Sequence, residues 1–318
     1  MHARSRRLAL AAAGCLAAAP LTGCTPEGSA RDSQTSGPPS PPPSAAQPVV
    51  PTPPSKSDST GCIAQPSRCG YPDATNTGWR PTGVTPTADG VKLTEEGELI
   101  ITEPGTVLDA KDIQGCVSIK ADDVTIKRSR IRCASYYPVQ VFAGFKNVLL
   151  EDVEIDGLNS PIGNAAVGFD GYTLRRADIH HVQDGPHLGG DVLITDSYVH
   201  DLVGCDICHN DAIQSNGARN AVLRHNTFTN QASGKNAAVR IATEQAPVHD
   251  FTVEDNLLAG GNFAVQVRSQ GHGFPQNVRV IGNRIVPDWR FGPFDVTDGT
   301  ITAEGNYRDD TLAPVRPA

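Results

Sequence analysis

Methionine occurs once in these 318 residues, at Met1, and aromatic side chains make up only 5% of the chain. No segment sustains a 3.6-residue apolar period, so helical content should be small and a helical bundle is excluded. Positive charge is also scarce: 27 Lys and Arg face 35 Asp and Glu, a formal net charge of −8. Nucleic-acid binding rests on neutralising phosphates, so an acidic chain is a poor general binder of nucleic acid. A polyanionic polysaccharide would be held only where basic groups cluster locally.

Residues 1–23 carry Arg4, Arg6 and Arg7, then the apolar run LALAAAGCLAAAPLTG. This reads as a signal peptide rather than a membrane span. The run ends in Leu21-Thr22-Gly23-Cys24, which resembles a bacterial lipobox. That resemblance implies an exported protein, lipid-anchored through Cys24 to the outer face of the cell membrane. The alternative is an ordinary cleaved signal beside an unrelated cysteine. Loss of residues 1–23 would take the charge from −8 to −11, because three Arg and no acid are removed. Residues 24–60 read as a disordered Pro/Ser-rich linker. Positions 25–60 hold ten Pro, eight Ser and no aromatic residue, too little apolar surface to offset the entropy of ordering. At about 3.1 Å per residue in polyproline geometry, such a tether would reach about 110 Å. A passive tail has the same composition.

Beyond Cys15 and Cys24, six cysteines fall in sequence-near pairs: Cys62/Cys69, Cys116/Cys133 and Cys205/Cys208. In an exported protein an even count favours disulfides, and local pairing is expected among the many connectivities open to six cysteines.

Residues 61–97, rich in Gly, Pro and Thr, read as an irregular N-terminal cap region. A repetitive domain follows over 98–312, and 313–318 are a tail. One strand type recurs as VTIKRSRI (124–131), VLLEDVEI (148–155), YTLRRADI (172–179), VLITDSYV (192–199), AVLRHNTF (221–228), FTVEDNLL (251–258), VRVIGNRI (278–285) and TITAEGNY (300–307). The steps are 24, 24, 20, 29, 30, 27 and 22 residues. A second type precedes each, as VSIK, VQVF, VGF, HLG, AIQS, AVRI, AVQV and FDVT. Asn226, Asn256 and Asn283 share one repeat position, as stacked turn asparagines would. Such periods indicate a solenoid, and no LxxLxL frame holds. Short β-branched strands predict an all-β, single-stranded parallel β-helix of about nine coils, a rod of about 40 Å.

The segments PGTVLDAKDIQGCVSIKADDVTIKRSRI, HNDAIQSNGARNAVLRHNTF and VEDNLLAGGNFAV resemble those of the right-handed parallel β-helix, or pectate-lyase-like, superfamily, over Gly105 to Asn306. The resemblance implies right-handed coiling and a sugar-binding polar stripe on the parallel sheet. It does not choose among lyase, hydrolase, epimerase and adhesin.

Alternate strand residues face in and out. With branched residues inward, Ser118, Gln140, Gly168, His187, Gln214, Arg240, Gln266 and Asp295 form one outward row. Asp184, His209, Asp211 and Arg268 lie near its edge. A lyase needs a base for the proton α to a uronate carboxylate and a cation for the developing enolate. His187 and Arg240 fit these roles, with Gln214, Gln266 and Arg268 binding substrate. A hydrolase needs two carboxyls, for which Asp184 and Asp211 are candidates. An epimerase would need His187, Arg240 and His209 together. The row also suits a soluble face without chemistry, with Gln side chains bonding between coils and Asp211 turned inward to cap a turn.

Cys205 to His209 spells CxxCH, the c-type haem string, but the strand context and the lack of a second Met argue against haem. Zinc on Cys205, Cys208, His209 and Asp211 lacks a second CxxC. A small disulfide loop positioning His209 and Asp211 is the preferred reading. Gly271-His272-Gly273 matches the GHG string of polygalacturonases without that family's other strings, and reads as a loop. Calcium on Asp184, Asp211 and Glu244 fits no standard spacing, so no metal site and no organic cofactor are assigned. Tyr136, Tyr137, Phe142, Trp289 and Phe291 would stack on sugars; Trp289 and Phe291 would equally cover the last coils against edge pairing.

The expectation is a cell-envelope protein acting on a polysaccharide or cell-wall glycan, foremost a lyase of an acidic glycan by β-elimination. A non-catalytic glycan-binding or structural surface β-helix is the alternative. A glycoside hydrolase or uronate epimerase comes third.

Overall fold

A computed structural model describes residues 61–160, 162 and 165–317. The expected signal peptide, lipidated Cys24 and linker lie outside the described residues. Within them the chain is an all-β parallel solenoid with two short 3₁₀ turns, Pro66–Cys69 and Arg80–Thr82.

Each coil but one gives short strands to three faces. The first face holds two four-stranded parallel sheets. One comprises Glu98–Ile101, Cys116–Ile119, Val139–Val141 and Val167–Phe169; the other comprises Asp211–Ser215, Ala237–Ala242, Phe263–Arg268 and Gly292–Thr297. The second face stacks nine strands from Val107–Asp109 to Thr302–Glu304, and the third stacks nine from Asp112–Ile113 to Tyr307–Arg308. The end rungs pair on one side only, which leaves about seven full coils rather than nine. One coil gives the first face no strand: residues 187–189 cross it with a single bridge, His187 to Gln214.

The inward positions are those the alternation marks. Ile126, Leu150, Leu174, Ile194, Leu223, Val253 and Val280 form a fully buried stack on the second face. The last repeat is offset by one from the expected frame. Ala303, not Thr302, pairs with Val280, because Thr302 is the exposed residue.

The corner between the second and third faces uses one left-handed residue per coil, among them Asp196, His225, Asp255 and Gly282. Asp tolerates this conformation better than most residues, and Gly tolerates it without strain. The next residue turns inward. In the last four coils it is Asn226, Asn256, Asn283 and Asn306, all buried. The Nδ2 groups of Asn226, Asn256 and Asn283 each donate to the Oδ1 of the next asparagine, at 2.9, 3.0 and 3.0 Å. The stacked asparagines expected from the repeat are therefore present, with Asn306 as a fourth member.

Residues 61–90 are irregular apart from the two 3₁₀ turns. They run along the third face from the last rung to the first. The Cys62 N–H donates to Asp309 Oδ1 at 2.8 Å, and Tyr71 stacks on His225 at 5.7 Å. Farther down, Trp79 Nε1 donates to Glu154 Oε2 at 2.5 Å and Thr87 bridges Lys111. Gly78 allows the close approach: a Cβ there would stand 3.0 Å from that of Asp178, and its φ is +70°. This strap buries outward-facing polar groups, Glu154 and Asp178 among them. Burial opposes ionisation of Glu154. Hydrogen bonds from His180, Trp79 and Arg80 and the charge of Arg130 outweigh it and hold the carboxyl at about 2. All three disulfides are the local pairs expected, Cys62–Cys69, Cys116–Cys133 and Cys205–Cys208.

Candidate functional site

Strand register builds the outward row as expected. Ser118, Gln140 and Gly168 align on the first sheet, and His187, Gln214, Arg240, Gln266 and Asp295 align across the break and up the second. His187, Gln214, Arg240 and Gln266 line a cleft of about 950 Å³, joined by Asp184, His209 and Arg268. The cleft spans the place where the first face loses its strand.

Asp184 and His187 lie on the segment that crosses this break, and both are buried. His187 Nε2 stands 3.6 Å from Asp184 Oδ2 and has no hydrogen-bond partner. Its ring packs 6.1 Å from Phe169, and its carbonyl accepts the Tyr172 hydroxyl at 3.0 Å. Packing and backbone therefore position the imidazole.

Asp211 sits behind the cleft wall. It is fully buried, and its Oδ1 accepts from the Ala237 N–H at 2.9 Å and from Asn236 Nδ2 at 3.1 Å. Burial, followed by the neighbouring Asp184 charge, pushes its carboxyl well above the usual range, against the pull of Arg240. Asp211 thus takes the inward, turn-capping alternative. A carboxyl walled off in this way cannot flank a glycosidic bond as one of a hydrolase pair.

The Arg240 guanidinium donates to Asn216 Oδ1, to Gln270 Oε1 at 2.7 Å and to Glu244 Oε2 at 3.4 Å. Two of these partners are neutral, and the third is a half-exposed carboxylate at long range. Arg268 differs: its Nε and Nη2 both donate to Asp295 Oδ2, at 2.9 and 2.5 Å, and Gln266 Nε2 donates to the same oxygen at 3.0 Å. Burial would raise the Asp295 carboxyl, but the bonds from Arg268 and Gln266 hold it below its ordinary value. Arg240 is therefore the less neutralised cation of the two.

His209 is exposed on the loop closed by Cys205–Cys208. The disulfide consumes both thiols, which removes the ligands a zinc site needs and the attachment points a haem needs. Gly234 packs under this loop, where a Cβ would lie 2.7 Å from the Cys208 carbonyl oxygen. Asp184, Asp211 and Glu244, weighed for calcium, do not gather their oxygens on one point.

Phe291 and Tyr137 line the cleft, whereas Trp289 packs against the core with the Arg308 guanidinium over its ring at 5.7 Å. Sequence reasoning did not single out Phe169, Asn216 or Gln270. Phe169 falls on an inward parity at its strand's last residue, and the other two lie just past strand ends, where alternation no longer reports orientation. The chain matches no protein-family model, no curated protein and no solved structure.

Proposed function

We propose that the cleft binds an acidic polysaccharide and cleaves it by β-elimination. The observation that carries this reading is the buried His187 imidazole, its Nε2 unpaired 3.6 Å from Asp184, in the same row as the loosely neutralised Arg240. The parallel β-solenoid and the sequence resemblance to pectate-lyase-like β-helices support it.

In this scheme the His187 Nε2–H donates a hydrogen bond to Asp184 once substrate closes the 3.6 Å gap. The other ring nitrogen is then the free base, and it takes the proton α to the uronate carboxylate. Arg240 stabilises the charge that develops on that carboxylate. The carbon–carbon double bond forms, the glycosidic carbon–oxygen bond breaks, and the leaving oxygen takes a proton from water in the open cleft. Gln214, Gln266 and Arg268 bind flanking sugars. A lipid anchor on Cys24 and the Pro/Ser tether would hold this activity at the cell envelope.

Non-catalytic glycan binding is favoured by one observation: Gln266 and Arg268 are already locked onto Asp295. Incubation with a panel of uronate polysaccharides, followed by the absorbance of the unsaturated product, separates the two readings. Product is expected, and His187→Ala should lower its rate about 100-fold or more. Saturable binding without product, or full activity in His187→Ala, would sink the lyase reading.

A further inference from the structure

We propose that Asp156, His180 and His181 form a binding site for a divalent first-row transition ion, with zinc as the reference ion. The site lies on the third face of the solenoid and does not rest on the reading of the cleft. Asp156 and His180 are register partners at the ends of neighbouring strands, Glu154–Asp156 and Asp178–His180, and both point outward. His181 takes a left-handed φ of 56°, which swings its ring back to the same side.

Three donor atoms converge there. His180 Nδ1 and His181 Nδ1 are 2.9 Å apart, His181 Nδ1 and Asp156 Oδ1 are 3.1 Å apart, and His180 Nδ1 and Asp156 Oδ1 are 3.8 Å apart. A point equidistant from all three lies about 1.9 Å from each in their plane. An ion at the about 2.0–2.1 Å of zinc–nitrogen bonds would therefore sit slightly out of that plane, with a fourth position open. The separations suit those bond lengths, and small side-chain adjustments would bring the 2.9 and 3.8 Å pairs towards tetrahedral angles.

The surroundings orient the donors. His180 Nε2 lies 3.3 Å from Glu154 Oε1. A proton on Nε2 shared with that carboxylate leaves Nδ1 bare, the carboxylate–histidine–metal arrangement. The Leu158 N–H donates to Asp156 Oδ1 at 2.9 Å, and Arg130 holds Asp156 Oδ2 at 3.5 Å, which turns Oδ1 towards the imidazoles. Without metal, a single proton on His181 Nδ1, shared with His180 Nδ1 and Asp156 Oδ1, satisfies all three atoms. When the ion binds, that proton moves to His181 Nε2, so the imidazole stays neutral and Nδ1 is bare for the ion. Two imidazoles and one carboxylate favour borderline ions over magnesium and calcium. Asp156 and His180 are buried, and the partly exposed His181 gives the ion a route in.

The test uses the full chain, treated with chelator and titrated with Co(II), with d–d absorption as the readout and Zn(II) as competitor. One equivalent should bind with the intense bands of low coordination number, and zinc should displace it. His181→Ala, at a partly exposed position, should keep the wild-type circular dichroism and lose about 100-fold or more in affinity. Glu154→Gln should keep the stoichiometry and weaken binding about 10- to 100-fold. The absence of a cobalt spectrum, or unchanged affinity in either variant, overturns the assignment.

Discussion

The amide N–H of Asp211 donates to the Asp184 carboxylate at 2.9 Å, tying together two neighbouring coils directly behind the cleft wall. The Asp211 carboxyl itself turns away from the cleft, into a site where burial and the Asp184 charge disfavour its ionised form. A carboxyl raised above its unfolded value of 3.8 holds its proton better in the folded state. Its contribution to stability is complete below that pH and is lost as pH rises towards the folded value. Asp211→Asn keeps the acceptor for the Ala237 N–H and has no proton to lose. It should match the wild type near pH 4 and exceed it at pH 7, with a Tm higher by several degrees. Tm measured across that range by calorimetry checks this. An equal difference at both ends would contradict it.

Arg240→Lys tests the guanidinium fork. Lysine keeps the charge but cannot span Asn216 and Gln270 together, because it lacks the planar pair of donors. Turnover of an acidic glycan should fall about tenfold or more. Stability should fall by only about 1 kcal/mol, the worth of one ordinary hydrogen bond. Steady-state kinetics beside urea unfolding separates the two effects, and a loss of activity no larger than the loss of folded protein would remove Arg240 from the reaction.

The two solenoid disulfides should contribute unequally. Cys205–Cys208 closes a loop of separation 3, and Cys116–Cys133 one of separation 17, from the start of one coil to its end. Loop-closure entropy grows with loop length, so the paired substitution Cys205→Ser with Cys208→Ser should cost about 2 kcal/mol. Cys116→Ser with Cys133→Ser should cost about 3 kcal/mol. Urea midpoints under oxidising conditions give the comparison, and the reverse order would contradict the entropic account.

The faces of the solenoid were legible because alternation and repeat spacing both report a strand's orientation. His187, Gln214, Arg240 and Gln266 could be placed in one row on those grounds alone. The path of residues 61–90 was not legible. Its Gly, Pro and Thr carry no period, and only long-range contacts such as Trp79 to Glu154 reveal that it runs along a face. The His180-His181 pair was hidden for a different reason. Alternation sends adjacent residues to opposite faces, and only the left-handed backbone at His181 returns it to its neighbour's side. Asp211 lies at the first residue of its strand, where inward and outward readings compete, and the inward one prevails because the Ala237 and Asn236 donors await it.

Asn256 is the position where the solenoid should be most sensitive to a single polar deletion. Its Oδ1 accepts from the Asn226 backbone N–H and from Asn226 Nδ2, both at 2.9 Å. Its own Nδ2 donates to Leu223 O at 3.1 Å and to Asn283 Oδ1 at 3.0 Å. All of these groups are buried. Asn256→Ala therefore strands donors and acceptors on both adjacent coils where water cannot replace the lost partner. Each unmet buried group costs about 1–3 kcal/mol, so a loss of about 3–5 kcal/mol is expected after local relaxation. Asn256→Asp should do comparable harm at neutral pH, because a carboxylate keeps the acceptor but has no donor for Leu223 O or Asn283 Oδ1. By contrast, substitution of exposed Asn277, whose φ is +51°, by Gly should cost less than about 1 kcal/mol, since glycine keeps the left-handed backbone and water takes over the bond to Asp250. Equilibrium urea unfolding of the three variants orders them, and a near-neutral Asn256→Ala would show that the ladder does not hold the coils together.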